Sequence, residues 1–210
     1  MTSTARLVSI ASKDLSAQGV FPSDIPWRRS RLGSELLEML GLRNGFYAFE
    51  GTLHVYPSGG SATTMSLEEW NSKDLWRYEY DHLSDGLFFF AEDGVGNQFC
   101  LRDNEVCLFD AETGDLEMIA GTIDDWARRV LDDYELLTGF PLFHDWQVTH
   151  GRVPLGCRLV PVVPFVLGGE YALANLRAVG AVSGMRSRGN LARQIYDLPD
   201  GAQIEFRVID

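Results

Sequence analysis

The stretch LFFFAEDGVGNQFCLRDNEVCLFDAETGDLEMIAGTIDDWARRVLDDY, residues 87–134, decides the fold. Four short runs, at 87–91, 98–101, 106–109 and 116–120, are rich in aromatic, branched and other apolar residues. Glu92-Asp93-Gly94-Val95-Gly96, Arg102-Asp103-Asn104 and Glu112-Thr113-Gly114 separate them. Runs of this length, with turn residues at this spacing, form an antiparallel meander. A helix is predicted next: Thr122 supplies an N-cap hydroxyl, and Asp124 and Asp125 fall in the first turn, where free amides favour negative charge. Ile123, Trp126, Ala127, Val130, Leu131 and Tyr134 recur at the 3.6-residue period, so this stripe is expected to pack on the meander. Asp125, Arg128, Asp132 and Asp133 are then left facing water.

Towards the N-terminus, Leu36, Leu37 and Leu40 have helical spacing, and Gly41 or Gly45 offers a stop near Asn44-Gly45. Residues 46–56 alternate and are aromatic and β-branched until Pro57 and Gly59-Gly60, which reads as one strand and a loop. Ser66-Leu67-Glu68-Glu69 is a capping-box pattern and predicts a short acidic helix toward Leu75. Trp76, Tyr78 and Tyr80 then alternate with Arg77, Glu79 and Asp81, a pattern that suits a strand or a continued helix. Residues 1–26 show little periodicity and read as a loosely ordered arm or an added strand. Beyond Leu137 the texture changes to Gly, Pro and short apolar runs. Asn190 to Tyr196 is a candidate helix with Leu191 and Ile195 inward, Pro199-Asp200-Gly201 is a turn, and 203–208 reads as a one-sided strand. The expected class is α+β: an arm at 1–26, an antiparallel meander packed by amphipathic helices at 27–136, and a Gly/Pro-rich extension at 137–210 packed on the same domain.

With 210 residues, 45% hydrophobic, the chain has enough apolar surface to fold, which excludes global disorder. The most apolar stretch, from Leu155 to Gly169, is cut by Pro161 and Pro164 and carries Arg158, so it does not read as a membrane span. The first residues are interrupted by Arg6, Lys13 and Asp14 and do not read as a signal peptide, so a cytoplasmic protein is expected. Net charge is -12, and it is unevenly placed: residues 66–135 hold 19 acids and 5 bases. Phosphate backbones are bound by Lys and Arg, so direct nucleic-acid binding is not expected, whereas a basic protein suits such a module. Three cysteines make a poor disulfide framework, and Cys100 and Cys107 read as core on two strands of one hairpin.

Catalytic patterns are weak. No Gly-x-Ser-x-Gly elbow or persuasive Cys–His pairing is present, and His144 and His150, six residues apart across an expected loop, are poorly spaced for zinc. Glu92-Asp93 ahead of Gly94-Val95-Gly96 joins two strands and lacks the lysine and helix of a phosphate loop, so it reads as a hairpin loop. Neither a cofactor nor a metal is expected. Trp76, Tyr78 and Tyr80 read as core, with a partly exposed, acid-rimmed protein-binding patch as the second possibility.

The order of these pieces is the distinctive feature. A leucine helix ends in Asn44-Gly45, an aromatic strand follows, and then come Phe90-Ala91-Glu92-Asp93-Gly94-Val95-Gly96-Asn97-Gln98-Phe99, Val106-Cys107-Leu108-Phe109 and a helix with Ile123, Trp126 and Leu131. This resembles the SUKH superfamily, the Smi/Knr type of domain, over residues 27–134. The tail, with Arg158-Leu159-Val160-Pro161, Pro164 to Tyr171 and Asp197-Leu198-Pro199-Asp200-Gly201, looks like the extended bacterial members. The resemblance implies a protein-binding scaffold. Bacterial relatives are commonly immunity proteins that neutralise toxins, many of them nucleases or deaminases, and eukaryotic ones act in regulatory interactions. The expectation is a non-catalytic immunity-type protein that blocks a cognate toxin with a basic surface. Its candidate contacts are Trp76, Tyr78, Glu79, Asp81, Glu92, Asp93, Asp132 and Asp133. The alternatives are a housekeeping regulatory module with another protein partner, or a small metal-dependent hydrolase using His144, Asp145 and His150 near Gly168-Gly169-Glu170.

Overall fold

A computed structural model of the chain describes residues 1–17, 26–60, 64–199 and 201–202. Six strands, β1 (Phe46–Ala48), β2 (Leu53–Val55), β3 (Phe88–Glu92), β4 (Gln98–Arg102), β5 (Glu105–Phe109) and β6 (Leu116–Ala120), pair in chain order, every neighbour antiparallel. The expected meander is therefore β3 to β6. Cys100 and Cys107 stand opposite one another on β4 and β5 as buried free thiols.

Residues 46–56 are a hairpin, not the single strand expected. Phe49, Glu50 and Gly51 all have positive φ (49°, 58° and 100°) and reverse the chain between β1 and β2. Only Gly51 of the three marks a turn in the sequence, and the alternation on both sides hides it. Before β1, the Asn44-Gly45 pair locks the entry. Gly45 has φ 71° and packs so closely that a Cβ there would lie 2.6 Å from the Pro57 nitrogen. The Asn44 carboxamide accepts from the Ser58 N–H (2.8 Å) and donates to the Ser58 carbonyl (2.9 Å).

The helices are α1 (Ser3–Ile10), α2 (Arg31–Leu42), α3 (Leu67–Trp70), α4 (Ile123–Asp132), α5 (Tyr134–Thr138), α6 (Phe140–His150) and α7 (Ala181–Ile195). Among the described residues of the expected N-terminal arm, Ser3–Ile10 form α1. It buries Leu7 and Val8, and its Thr4 N–H and hydroxyl donate to Asp124 Oδ1 at the start of α4 (2.8 and 2.9 Å). Two turns are too short for a periodic signal to stand out. The capping box forms at Ser66 and Glu69, and Thr122 caps α4 through the Asp125 N–H.

β3 is buried on both faces. On one face Phe90 meets the Trp126 ring of α4 at 5.0 Å; on the other Phe89 meets Trp76 at 4.9 Å and Phe109 at 5.4 Å. Between Trp76 and Ser84 the chain is neither strand nor α-helix but two 3-10 turns, and Trp76 and Tyr80 continue an aromatic row that starts at Trp70 of α3.

The tail holds more regular structure than its Gly/Pro texture suggests. β7 (Cys157–Pro161) and β8 (Leu176–Gly180) form an antiparallel ribbon, and Phe143, Trp146, Leu159 and Leu176 make a small core of their own. The helix expected at 190–196 begins much earlier, at Ala181. Two glycines within it lower helix propensity, but Gly189 is where α7 crosses the Tyr80 ring, and a Cβ there would stand 2.6 Å from it. The strand expected at 203–208, and Asp200 of the expected turn, lie outside the described residues. No described helix is long and apolar enough to cross a membrane.

Candidate functional site

The loop between β3 and β4 is the hairpin its sequence predicted, and it also grips the tail. Asp93 closes it by accepting from Val95 N–H (2.9 Å), Asn97 N–H (2.8 Å) and Asn97 Nδ2 (3.0 Å). Asn97 Oδ1 in turn accepts from Ala111 N–H at 3.0 Å. The Gly94 N–H donates to the Thr138 carbonyl, its carbonyl accepts from Leu159 N–H, and Arg188 Nη1 of α7 donates to the Val95 carbonyl at 2.6 Å. Burial pushes the Asp93 carboxyl up to about 7, even though the Asn97 and Val95 donors and Arg188 pull it down.

That shift sets a pH dependence. The folded-state value exceeds the unfolded one, so stability from this group is full below about pH 4 and is lost as pH rises through about 7. Asp93→Asn, which cannot ionise, is expected to flatten that decline, by on the order of a few kcal/mol across the window. Urea midpoints measured from pH 4 to 8 test this; profiles that stay parallel in the two proteins would contradict it.

Next to it, Glu92 is fully enclosed. It faces His54 of β2 in register, with His54 Nδ1 3.0 Å from Oε1, and Arg158 Nε of β7 is 2.9 Å from the same oxygen. His54 stacks on Tyr47 (4.4 Å between centroids) and its Nε2 lies 3.2 Å from the Thr64 hydroxyl. Burial alone would push the Glu92 carboxyl up, but the Arg158 guanidinium and the His54 hydrogen bond outweigh it and hold it at about 2. Burial also lowers His54 despite Glu92, so at neutral pH a carboxylate and a guanidinium flank a neutral ring. A cavity of 420 Å³, lined by Tyr56, Glu69 and Ser183 among others, borders the cluster. A carboxylate beside an imidazole can relay protons, but this carboxylate is bound to a guanidinium that ties β7 to the sheet.

The eight candidate contacts therefore separate. Trp76 is core, packed on Trp70, Tyr80 and Phe89, and Glu92 and Asp93 are buried clamps, so these three leave the proposed patch. Tyr78 is 48% exposed beneath the Arg186 guanidinium, and Glu79, half-buried, is 3.9 Å from Arg193, so α7 overhangs both. Asp81 is exposed beside them. Asp132 pairs with Arg128 at 3.0 Å and Asp133 is exposed, both at the end of α4 on the other side of the sheet. Of the alternative set, His144 contacts Glu50 (2.9 Å) and His150 contacts the Trp146 carbonyl. Among the described residues no three His, Cys, Asp or Glu side chains gather as a metal site would require. A 780 Å³ cavity lies beside His144, between the β1–β2 hairpin and α6. Sequence reasoning missed His54, Arg158 and Arg188 as partners of the acidic loop. A lone arginine within the apolar run at 155–169 was the available signal, because a charge there needs a buried counter-charge.

A six-stranded meander covered on both faces, with its buried charge holding the tail and most of its acids outside, defines an α+β scaffold that presents an anionic surface. Residues 30–129, just under half of the chain, match the SMI1 / KNR4 family (SUKH-1), so this region is a domain of the SUKH type. SUKH domains are typically protein-interacting, so the domain is, in broad terms, a protein-binding module. The fold is similar to the crystal structure of Atu4351 from Agrobacterium tumefaciens, with a TM-score of 0.58 at 12% identity over 89% of this chain and 87% of that one. The shared fold thus reaches well beyond residues 30–129. No curated protein matches the chain.

Proposed function

We propose that the protein is a non-catalytic immunity protein that acts in the bacterial cytoplasm, binding a cognate toxin through its acidic surface and blocking it. The observation that carries this reading is the placement of charge. Of the 19 acids at 66–135, only Glu92, Asp93 and Glu112 are buried, and the other sixteen remain at or near the surface against five bases. A surface so charged repels phosphate backbones and attracts a basic groove, with fast, electrostatically guided association. A nuclease or deaminase toxin, which needs a basic groove for its own substrate, is the partner class it suits. Co-expression tests this: cells arrested by the product of the adjacent reading frame should resume growth when this protein is also produced. Continued arrest with both proteins folded and abundant would overturn the reading.

A further inference from the structure

Outside the Glu92 cluster, unsatisfied buried charge and exposed aromatic surface meet at the turn between β5 and β6. Asp110 Oδ1 accepts from the Glu112 and Thr113 amides (2.7 and 3.0 Å) and curls this turn. Glu112 is only 6% exposed. Its Oε2 accepts from Val166 N–H at 2.9 Å, but its Oε1 has no hydrogen-bond partner among the described residues. A buried carboxylate oxygen left unpaired is costly, and native structures seldom keep one without a reason. Glu112 lines a cavity of 290 Å³ together with Asp110, Asn97, Phe165, Tyr171 and Arg188.

The lining favours a cation. Phe165 and Tyr171 stack face to face, 4.0 Å apart and 5° from parallel, and Tyr171 is 76% exposed, so a flat aromatic surface stands at the cavity. The resident cation acts on Glu112 only through space and forms no ion pair with it. Arg188 gives Nη1 to the Val95 carbonyl and Nε to the Gly184 carbonyl, and forms no ion pair with either acid. Two carboxylates against one guanidinium leave the lining net negative. Asp110 Oδ1 is already committed to two amides, so a bare metal ion would find few free oxygens. A guanidinium, in contrast, can lie against the aromatic stack and pair with Glu112 once that side chain turns its closed-off Oε1 toward the cavity.

We propose that this cavity is the receptor for an arginine side chain of the protein partner, the anchor of the complex; this rests on the protein-binding reading above. A neighbouring cavity of 540 Å³ starts at the shared Thr113 and Val166 and runs to Tyr196 and Leu198, which are half-exposed. The anchor thus sits beside an aromatic and apolar rim, the usual surround of a dominant interface residue.

The test uses the whole chain and two arms. In the first, amide NMR spectra are followed while N-acetyl-argininamide is added at millimolar concentration, with N-acetyl-glutaminamide as the neutral control. Shifts confined to the amides around Glu112, Val166 and Tyr171, absent with the control and lost in Glu112→Gln, support the receptor. No shifts, or equal shifts in Glu112→Gln, overturn it, and the variant's own spectrum reports that it is folded. In the second, Glu112→Gln should weaken binding to the adjacent reading-frame product about ten- to a hundredfold, the worth of one buried charged hydrogen bond. Unchanged affinity overturns the anchor while leaving the immunity reading intact. Absence of any complex removes that reading, and with it the anchor, whereas the first arm still decides whether the cavity takes a guanidinium.

Discussion

Glu92→Ala is expected to cost about 3–5 kcal/mol of folding free energy, because it leaves the Arg158 guanidinium buried without its counter-charge. The effect should be larger than that of losing one hydrogen bond, since a buried ion cannot be rehydrated without opening the ribbon formed by β7 and β8. Arg158→Met in the same chain should recover most of the loss, because an apolar side chain of similar length replaces a charge no longer answered. Urea unfolding of the two single variants and the double variant reads this directly, as a coupling energy. Additive losses would mean that the pair does not hold the tail. The acid limb should also change. The depressed Glu92 value contributes stability above about pH 4.5 that is lost as pH falls through about 2, and this limb should be missing from the double variant.

Trp76→Ala is expected to cost about 3–5 kcal/mol as well, through the cavity left among Trp70, Tyr80 and Phe89. In sequence this residue is a candidate contact. A core role and a contact role separate in one experiment: thermal unfolding should fall by many degrees, while affinity for a partner, measured where the variant is still folded, should barely move. Full stability with lost affinity would return Trp76 to the surface.

The meander was legible because half-buried strands and their turns leave a local signature, and α4 because its stripe and cap agree. The β1–β2 hairpin was not, because Phe49 and Glu50 adopt positive φ without any residue type that announces it. The site was harder. Glu92 and Asp93 look in sequence like any acidic loop, and whether such a pair is solvated or buried depends on Arg158 and Arg188, which arrive 66 and 95 residues later. Charge composition marked out an acidic stretch but could not say which of its acids the tail would cover. Glu112 belongs to the same case: Val166 closes over it from a segment whose prolines and glycines gave no periodicity.

The affinity of the purified protein for the product of the adjacent reading frame, by calorimetry at low and at moderate salt, bears most directly on whether the acidic surface is a binding surface. Nanomolar binding that weakens steeply as salt rises is the expected result. Tight binding indifferent to salt, or no binding between two folded proteins, would contradict it.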